Sequence, residues 1–170
     1  NFNFEIGHAV RTIEDCVTEM RNDISVETAV MERRHLAGSK DVSSHLSERL
    51  EQELISEDDD YFGLKEMEQN NRHRQFQNVD YGLEPNIKNS PGGLRDIHTV
   101  MWIALKRHKT TSKRELIKLG VITKTESRLL AAAEKFLRHT RFGLHLISKN
   151  KEDRLRFMYQ RELSTKLDYR

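Results

Sequence analysis

Leu83-Glu84-Pro85-Asn86-Ile87-Lys88-Asn89-Ser90-Pro91-Gly92-Gly93-Leu94-Arg95-Asp96-Ile97 is the stretch that decides how this chain is read. It holds both prolines of the chain and two adjacent glycines, directly before a long apolar helical pattern. Pro91 suits the first position of a helix, where its missing N–H costs nothing and its φ is already helical. Ser90 suits the N-cap. Gly92 and Gly93 then fall in the first turn, whose backbone N–H groups lack intrahelical partners. Without side chains they let another group approach the backbone closely. Such a helix start attracts anions, and Lys88 and Arg95 flank it. The competing reading is structural: a tight strand-to-helix turn, with glycines where another helix packs close.

Working outward, the segment 91–108 predicts a helix with Leu94, Ile97, Val100, Met101, Ala104 and Leu105 as its apolar stripe and Trp102 beside it. Ser112 predicts the cap of a short helix ending at Gly120. Thr123 predicts the start of the longest helix, to about Lys149, with Leu129, Leu130, Ala133, Phe136, Leu137, Thr140, Leu144 and Ile147 on one face. A last helix is expected over 154–167. Short connections favour antiparallel packing of these helices.

Towards the N-terminus, residues 2–11 alternate like a half-buried strand, and 82–88 has extended character. Thr12-Ile13-Glu14-Asp15 reads as a helix start with an acid three residues after the cap. Further helices are expected over 25–37, capped by Gly38, over 42–55 with Leu46, Leu50 and Leu54, and over 61–76 with Phe62, Met67 and Phe76 as anchors. Arg72, His73 and Arg74 near the end of the last of these would complement the helix dipole or reach a phosphate. The acidic run 56–60 reads as a helix N-terminal charge cluster rather than a metal site.

Composition narrows the class. The chain has 170 residues with a net charge of +2, so a dedicated nucleic-acid binder is not expected. No apolar stretch is long enough to span a membrane. A single cysteine, Cys16, excludes an internal disulfide and fits a reducing, cytoplasmic compartment. The chain opens at Asn1 on a strand-like pattern, and is expected to be a piece of a larger protein.

Several motifs carry a resemblance. Glu-Pro-Asn-Ile-Lys followed by Ser-Pro-Gly-Gly-Leu-Arg-Asp-Ile, within 84–97, resembles the signature of the bacterial PII uridylyltransferase/uridylyl-removing family. Gly7-His8-Ala9-Val10-Arg11-Thr12 is similar to a second segment of that family, with Ala9 where Ser is usual. Leu36-Ala37-Gly38, Asn71-Arg72-His73-Arg74 and Asp153-Arg154-Leu155 with Phe157 stand in the expected order. A looser likeness reaches the glutamine synthetase adenylyltransferases.

The resemblance implies a mainly α fold, an antiparallel helical bundle with short strands left from a nucleotidyltransferase α/β domain. Residues 1–56 would close that domain, and 57–170 would form the helical domain carrying the signature. It implies a parent enzyme that transfers UMP from UTP to a tyrosine of the PII signal protein and removes it again, with Mg2+ held by a Gly-Ser and Asp-x-Asp hairpin. That hairpin is absent from the sequence, as is the His-Asp pair of the uridylyl-removing domain. The isolated chain is therefore expected to be inactive. Lys88, Gly92, Gly93 and Arg95 are the expected phosphate-binding residues, Arg11 and Asp96 supporting ones, and Glu5 a candidate third carboxylate. Arg95 with Asp96 could instead form a structural ion pair. A non-catalytic helical module that docks a partner protein is the reading from another class.

Overall fold

The computed structural model describes residues 7–54, 60–76 and 80–167. Phe2, Phe4, Glu5 and Ile6, and most of the acidic run, lie outside them. Among the described residues the fold is all helical: nine helices and no sheet, with one isolated antiparallel bridge between Asn86 and Arg154. The chain divides into two compact units, residues 1–60 and 61–170.

In the first unit, α1 (Ile13–Asn22) starts at a capping box. The Thr12 Oγ1 accepts the Asp15 N–H at 3.1 Å, and the Asp15 carboxylate accepts the Thr12 N–H at 3.0 Å. Asp23 ends α1 and caps α2 (Ile24–Met31) by accepting the Ser25 N–H at 2.7 Å. With α3 (Lys40–Leu54) these helices bury Val17, Met20, Leu50 and Leu54. Glu53 accepts both Arg21 and Arg49 at 2.6 Å. Two expectations are corrected. The helix predicted to reach Ala37 stops at Met31, so Gly38, with φ +96°, turns the loop into α3 and caps nothing in α2. Residues 7–11 are irregular and exposed, not strand, since among the described residues there is no strand to pair with them.

The second unit contains α4 (Tyr61–Gln75), the short α5 (Asp80–Leu83), α6 (Leu94–His108), α7 (Lys113–Lys118), α8 (Lys124–Ser148) and α9 (Phe157–Lys166). The α4–α6 pair is antiparallel. Tyr61 and Lys65, at the start of α4, meet Lys106 and Trp102 near the end of α6, whereas Arg72 and His73 meet Asp96 at its start. The buried core includes Tyr61, Ile87, Leu94, Ile97, Trp102, Ala104, Leu116, Leu144 and Leu163. Each such side chain contributes about 1.5–3 kcal/mol of burial.

Helix α8 starts at a Thr123–Glu126 capping box and is the longest, as its pattern predicts. Only its C-terminal half is covered: Thr140, Gly143 and Leu144 are buried, while Leu129 and Phe136 stay exposed. Leu163 of α9 packs where the absent Gly143 side chain leaves room. On α4 the anchors are Tyr61 and Lys65, whereas Phe62 and Met67 face outward.

Candidate functional site

The signature run folds into a compact loop held by hydrogen bonds within itself and to α4 and 153–157. Asn86 organises its first half. Its side-chain oxygen accepts the N–H of Lys88 at 3.1 Å and of Asn89 at 2.8 Å, and its own N–H donates to Ser90 Oγ at 2.9 Å. Three carbonyls then receive the start of α6. Ser90 O accepts the Gly93 N–H at 2.8 Å, Ile87 O the Leu94 N–H at 3.0 Å, and Lys88 O the Arg95 N–H at 2.8 Å. Helix α6 therefore begins at Leu94 with Gly93 as N-cap, so Ser90 and Pro91 belong to the loop and not to a first turn. Ser90 fails as a cap because its hydroxyl is turned back to Asn86.

Gly92 sits at φ +77°, the left-handed region that glycine enters without penalty. Gly93 is needed for space. A Cβ there would lie 2.8, 2.9 and 2.9 Å from the carbonyl oxygens of Ser90, Ile87 and Lys88, the three that hold the helix start.

Asp96 closes the loop from α6. It accepts the Gly92 N–H at 2.7 Å, Arg72 Nη2 at 2.7 Å, Gln69 Nε2 at 3.3 Å, and His73 Nε2 at 2.9 and 3.0 Å from its two oxygens. Arg72 also donates to Asn89 O at 3.0 Å. Burial pushes the Asp96 carboxyl up, but hydrogen bonds from Arg72, then His73, then Gly92 outweigh it and hold the group below its ordinary value. Asp96 is thus a fastener, ion-paired to Arg72 and hydrogen-bonded to His73 of α4, not paired to Arg95. Proximity in sequence misleads here because successive helical residues point about 100° apart. The sequence signal was present: Arg72-His73 places two donors next to each other near the end of a polar helix.

The backbone of 153–155 holds the loop from the other side. The Ile87 N–H donates to Asp153 O at 2.8 Å and the Leu155 N–H to Pro85 O at 2.9 Å. Asp153 itself accepts Arg141 Nε at 2.6 Å and faces His145 Nε2 at 3.1 Å. Burial raises its pKa, and Arg141 and then His145 lower it by more. Arg154 pairs with Glu84 at 3.2 Å, and the Phe157 N–H donates to Glu84 Oε1 at 2.8 Å. This explains two corrections. The segment 82–88 forms no strand because α5 occupies its start and only Asn86 pairs. The last helix begins at Phe157, not Arg154, because 153–155 is extended against 85–87. No sequence pattern announced Arg141, His145 or Glu84 as partners, since each contact joins distant segments.

What remains unpaired is informative. The backbone bond from Arg95 to Lys88 brings the two residues together, and both side chains are half-buried. Among the described residues neither cation has a carboxylate partner. The Arg95 guanidinium lies over the Trp102 ring, 5.2 Å from its centroid. The amides of Gly92 and Gly93 are engaged by Asp96 and by Ser90 O. Arg11, in the first unit, lies 3.7 Å from Glu19 in an exposed pair. Glu5 lies outside the described residues. Among the described residues no cluster of three or more His, Cys, Asp or Glu could hold a metal ion. No helix among the described residues is long and apolar enough to cross a membrane.

Among its described residues the second unit is a helical domain whose glycine-rich loop is fastened by the Asp96 carboxylate and by the backbone of 153–155, with Lys88 and Arg95 beside it. The family model described as GlnD PII-uridylyltransferase matches residues 61–170, the whole second unit. Over 169 residues, 99% of the chain, it is 39% identical to the bifunctional uridylyltransferase/uridylyl-removing enzyme of Stutzerimonas stutzeri. The enzymes of the same description from Idiomarina loihiensis and Pseudomonas fluorescens SBW25 are 40% and 37% identical over the same length. The chain spans 19% of the length of these curated relatives. No solved structure matches it. The chain belongs to the GlnD PII-uridylyltransferase family.

Proposed function

We propose that this chain works as a segment of a bifunctional enzyme that moves UMP from UTP onto a tyrosine of the PII protein and removes it again. In the transfer the tyrosine oxygen attacks the α-phosphorus of UTP, the bond to the bridging oxygen breaks, and pyrophosphate leaves. Negative charge grows on that leaving group. Lys88 and Arg95 are assigned to it, because fixed cations aimed at developing charge lower the barrier. Gly92 and Gly93 shape the loop that carries them. The single observation behind this assignment is that Lys88 of the loop and Arg95 of α6, joined by a backbone hydrogen bond, have no carboxylate partner among the described residues. The magnesium ligands, Glu5 aside, would come from elsewhere in the enzyme.

The test is Lys88→Ala and Arg95→Ala in the complete enzyme. A charge-assisted hydrogen bond is worth roughly 1.5–3 kcal/mol, so each variant should lose about tenfold to a hundredfold in transfer and keep uridylyl removal. Wild-type transfer in both, with normal folding, would reduce the signature loop to a structural turn. The isolated chain, given UTP, magnesium and PII protein, should leave the mass of PII unchanged.

A further inference from the structure

Arg95 stands in an electrostatically awkward place. It is in the first turn of α6, where the helix dipole is positive and disfavours a cation. The neighbouring Asp96 does not compensate, because it is committed to Arg72, His73 and Gly92. What the guanidinium has instead is the face of Trp102, two turns further along the same helix.

That ring is held hard. Trp102 is 5% exposed. Lys65 of α4, itself buried, lies over the same ring at 4.8 Å and is anchored by Glu68 at 2.7 Å. His98 packs against it with centroids 5.8 Å apart. The indole Nε1 is buried without a hydrogen-bond partner. The side chain is therefore not placed to make a hydrogen bond; what it offers is an aromatic face.

We infer that Trp102 is a positioning residue: its ring holds the Arg95 guanidinium in place so that the planar N–H edge is ready for a phosphate. A guanidinium can do both at once, since its face meets the ring and its donors lie in the plane. Without the ring, Arg95 would sample many rotamers and lose that freedom on binding, which weakens affinity. This inference rests on the assignment of Arg95 to phosphate made above.

The test is a double-mutant cycle on UTP binding by the complete enzyme, measured by calorimetry without PII protein. Trp102→Leu should weaken UTP about threefold to tenfold, the range of a partly desolvated cation–π contact. Trp102→Phe keeps a ring and loses no hydrogen bond, so it should stay within about twofold of wild type. In an Arg95→Ala background, Trp102→Leu should add nothing. Should Trp102→Leu fail to fold, fluorinated tryptophan introduced at position 102 alone preserves shape while draining the ring face. UTP affinity should then fall with each added fluorine. The inference is overturned if Trp102→Leu costs the same with and without Arg95, or if fluorination changes nothing. If Arg95→Ala alone leaves UTP affinity intact, the phosphate assignment fails first and takes this inference with it.

Discussion

Replacing Gly93 by alanine adds one carbon where three backbone carbonyls converge. The new Cβ would lie 2.8–2.9 Å from three backbone oxygens, closer than real Cβ contacts allow. None of these is a flexible side-chain tip. Each carbonyl also accepts an N–H from the start of α6, at 2.8, 3.0 and 2.8 Å. Moving them aside stretches those bonds. Overpacking of this kind costs about 1–3 kcal/mol, and each weakened hydrogen bond adds roughly 0.5–1.5 kcal/mol. Alanine restricts the unfolded chain and returns about 0.4–1 kcal/mol. Over the three bonds a net loss of about 1.5–7 kcal/mol is expected from these terms.

Gly92→Ala makes an internal control. Nothing lies within 4 Å of its Cβ, and only the positive φ of +77° is penalised, at about 1–2 kcal/mol. Trp102 is the only tryptophan in the chain and is buried, so its emission reports unfolding of the unit that contains both glycines. Urea titrations followed at Trp102 should rank wild type above Gly92→Ala, and that above Gly93→Ala. A Gly93→Ala protein as stable as wild type, or more stable than Gly92→Ala, would refute the steric argument.

Two further outcomes are expected. Asp96 and Asp153 both have folded pKa values below their unfolded ones, so their contribution is fully present above the unfolded value of about 3.9. It is lost as pH falls through the lowered folded values. The Trp102-monitored urea midpoint should therefore drop on acidification, and Asp96→Asn with Asp153→Asn should flatten that acid limb; an unchanged limb contradicts the stabilising role of Arg72–Asp96 and Arg141–Asp153. Thr123→Ala removes the capping hydroxyl of α8 and should cost about 0.5–2 kcal/mol in the same titration, with Thr123→Ser recovering most of it.

Much of the helical layout was legible because it depends on neighbours in sequence. Thr12 and Asp15, Ser112 and Glu115, and Thr123 and Glu126 are three residues apart, so their caps follow from local chemistry. The apolar stripe of α6 was legible for the same reason. The expectations that failed depended on absent or distant partners. A period of two at 7–11 makes a strand only beside another strand. Leu129 and Phe136 belong to the same apolar stripe as Leu144 yet stay exposed, because where a helix is covered is set by its distant neighbours. Phe62 and Met67 were chosen as anchors for being apolar, yet Lys65 takes the buried place because two aromatic faces and Glu68 receive its ammonium.

The sequence by itself determined that this is a helical chain of the uridylyltransferase family. It also placed the signature loop at the start of a long helix, with lysine and arginine on either side of a glycine pair. Those are matters of order and spacing along one chain. Only the tertiary structure decided which of these groups are free. It used the glycine amides inside the loop, gave Asp96 to Arg72 and His73 across to α4, and tied 85–87 to 153–155. Lys88 and Arg95 remained as the two cations without a carboxylate partner among the described residues, the latter lying over Trp102. A polar group's partner is whichever donor or acceptor the fold brings within about 3 Å, and that distance is set by packing between segments far apart in the chain.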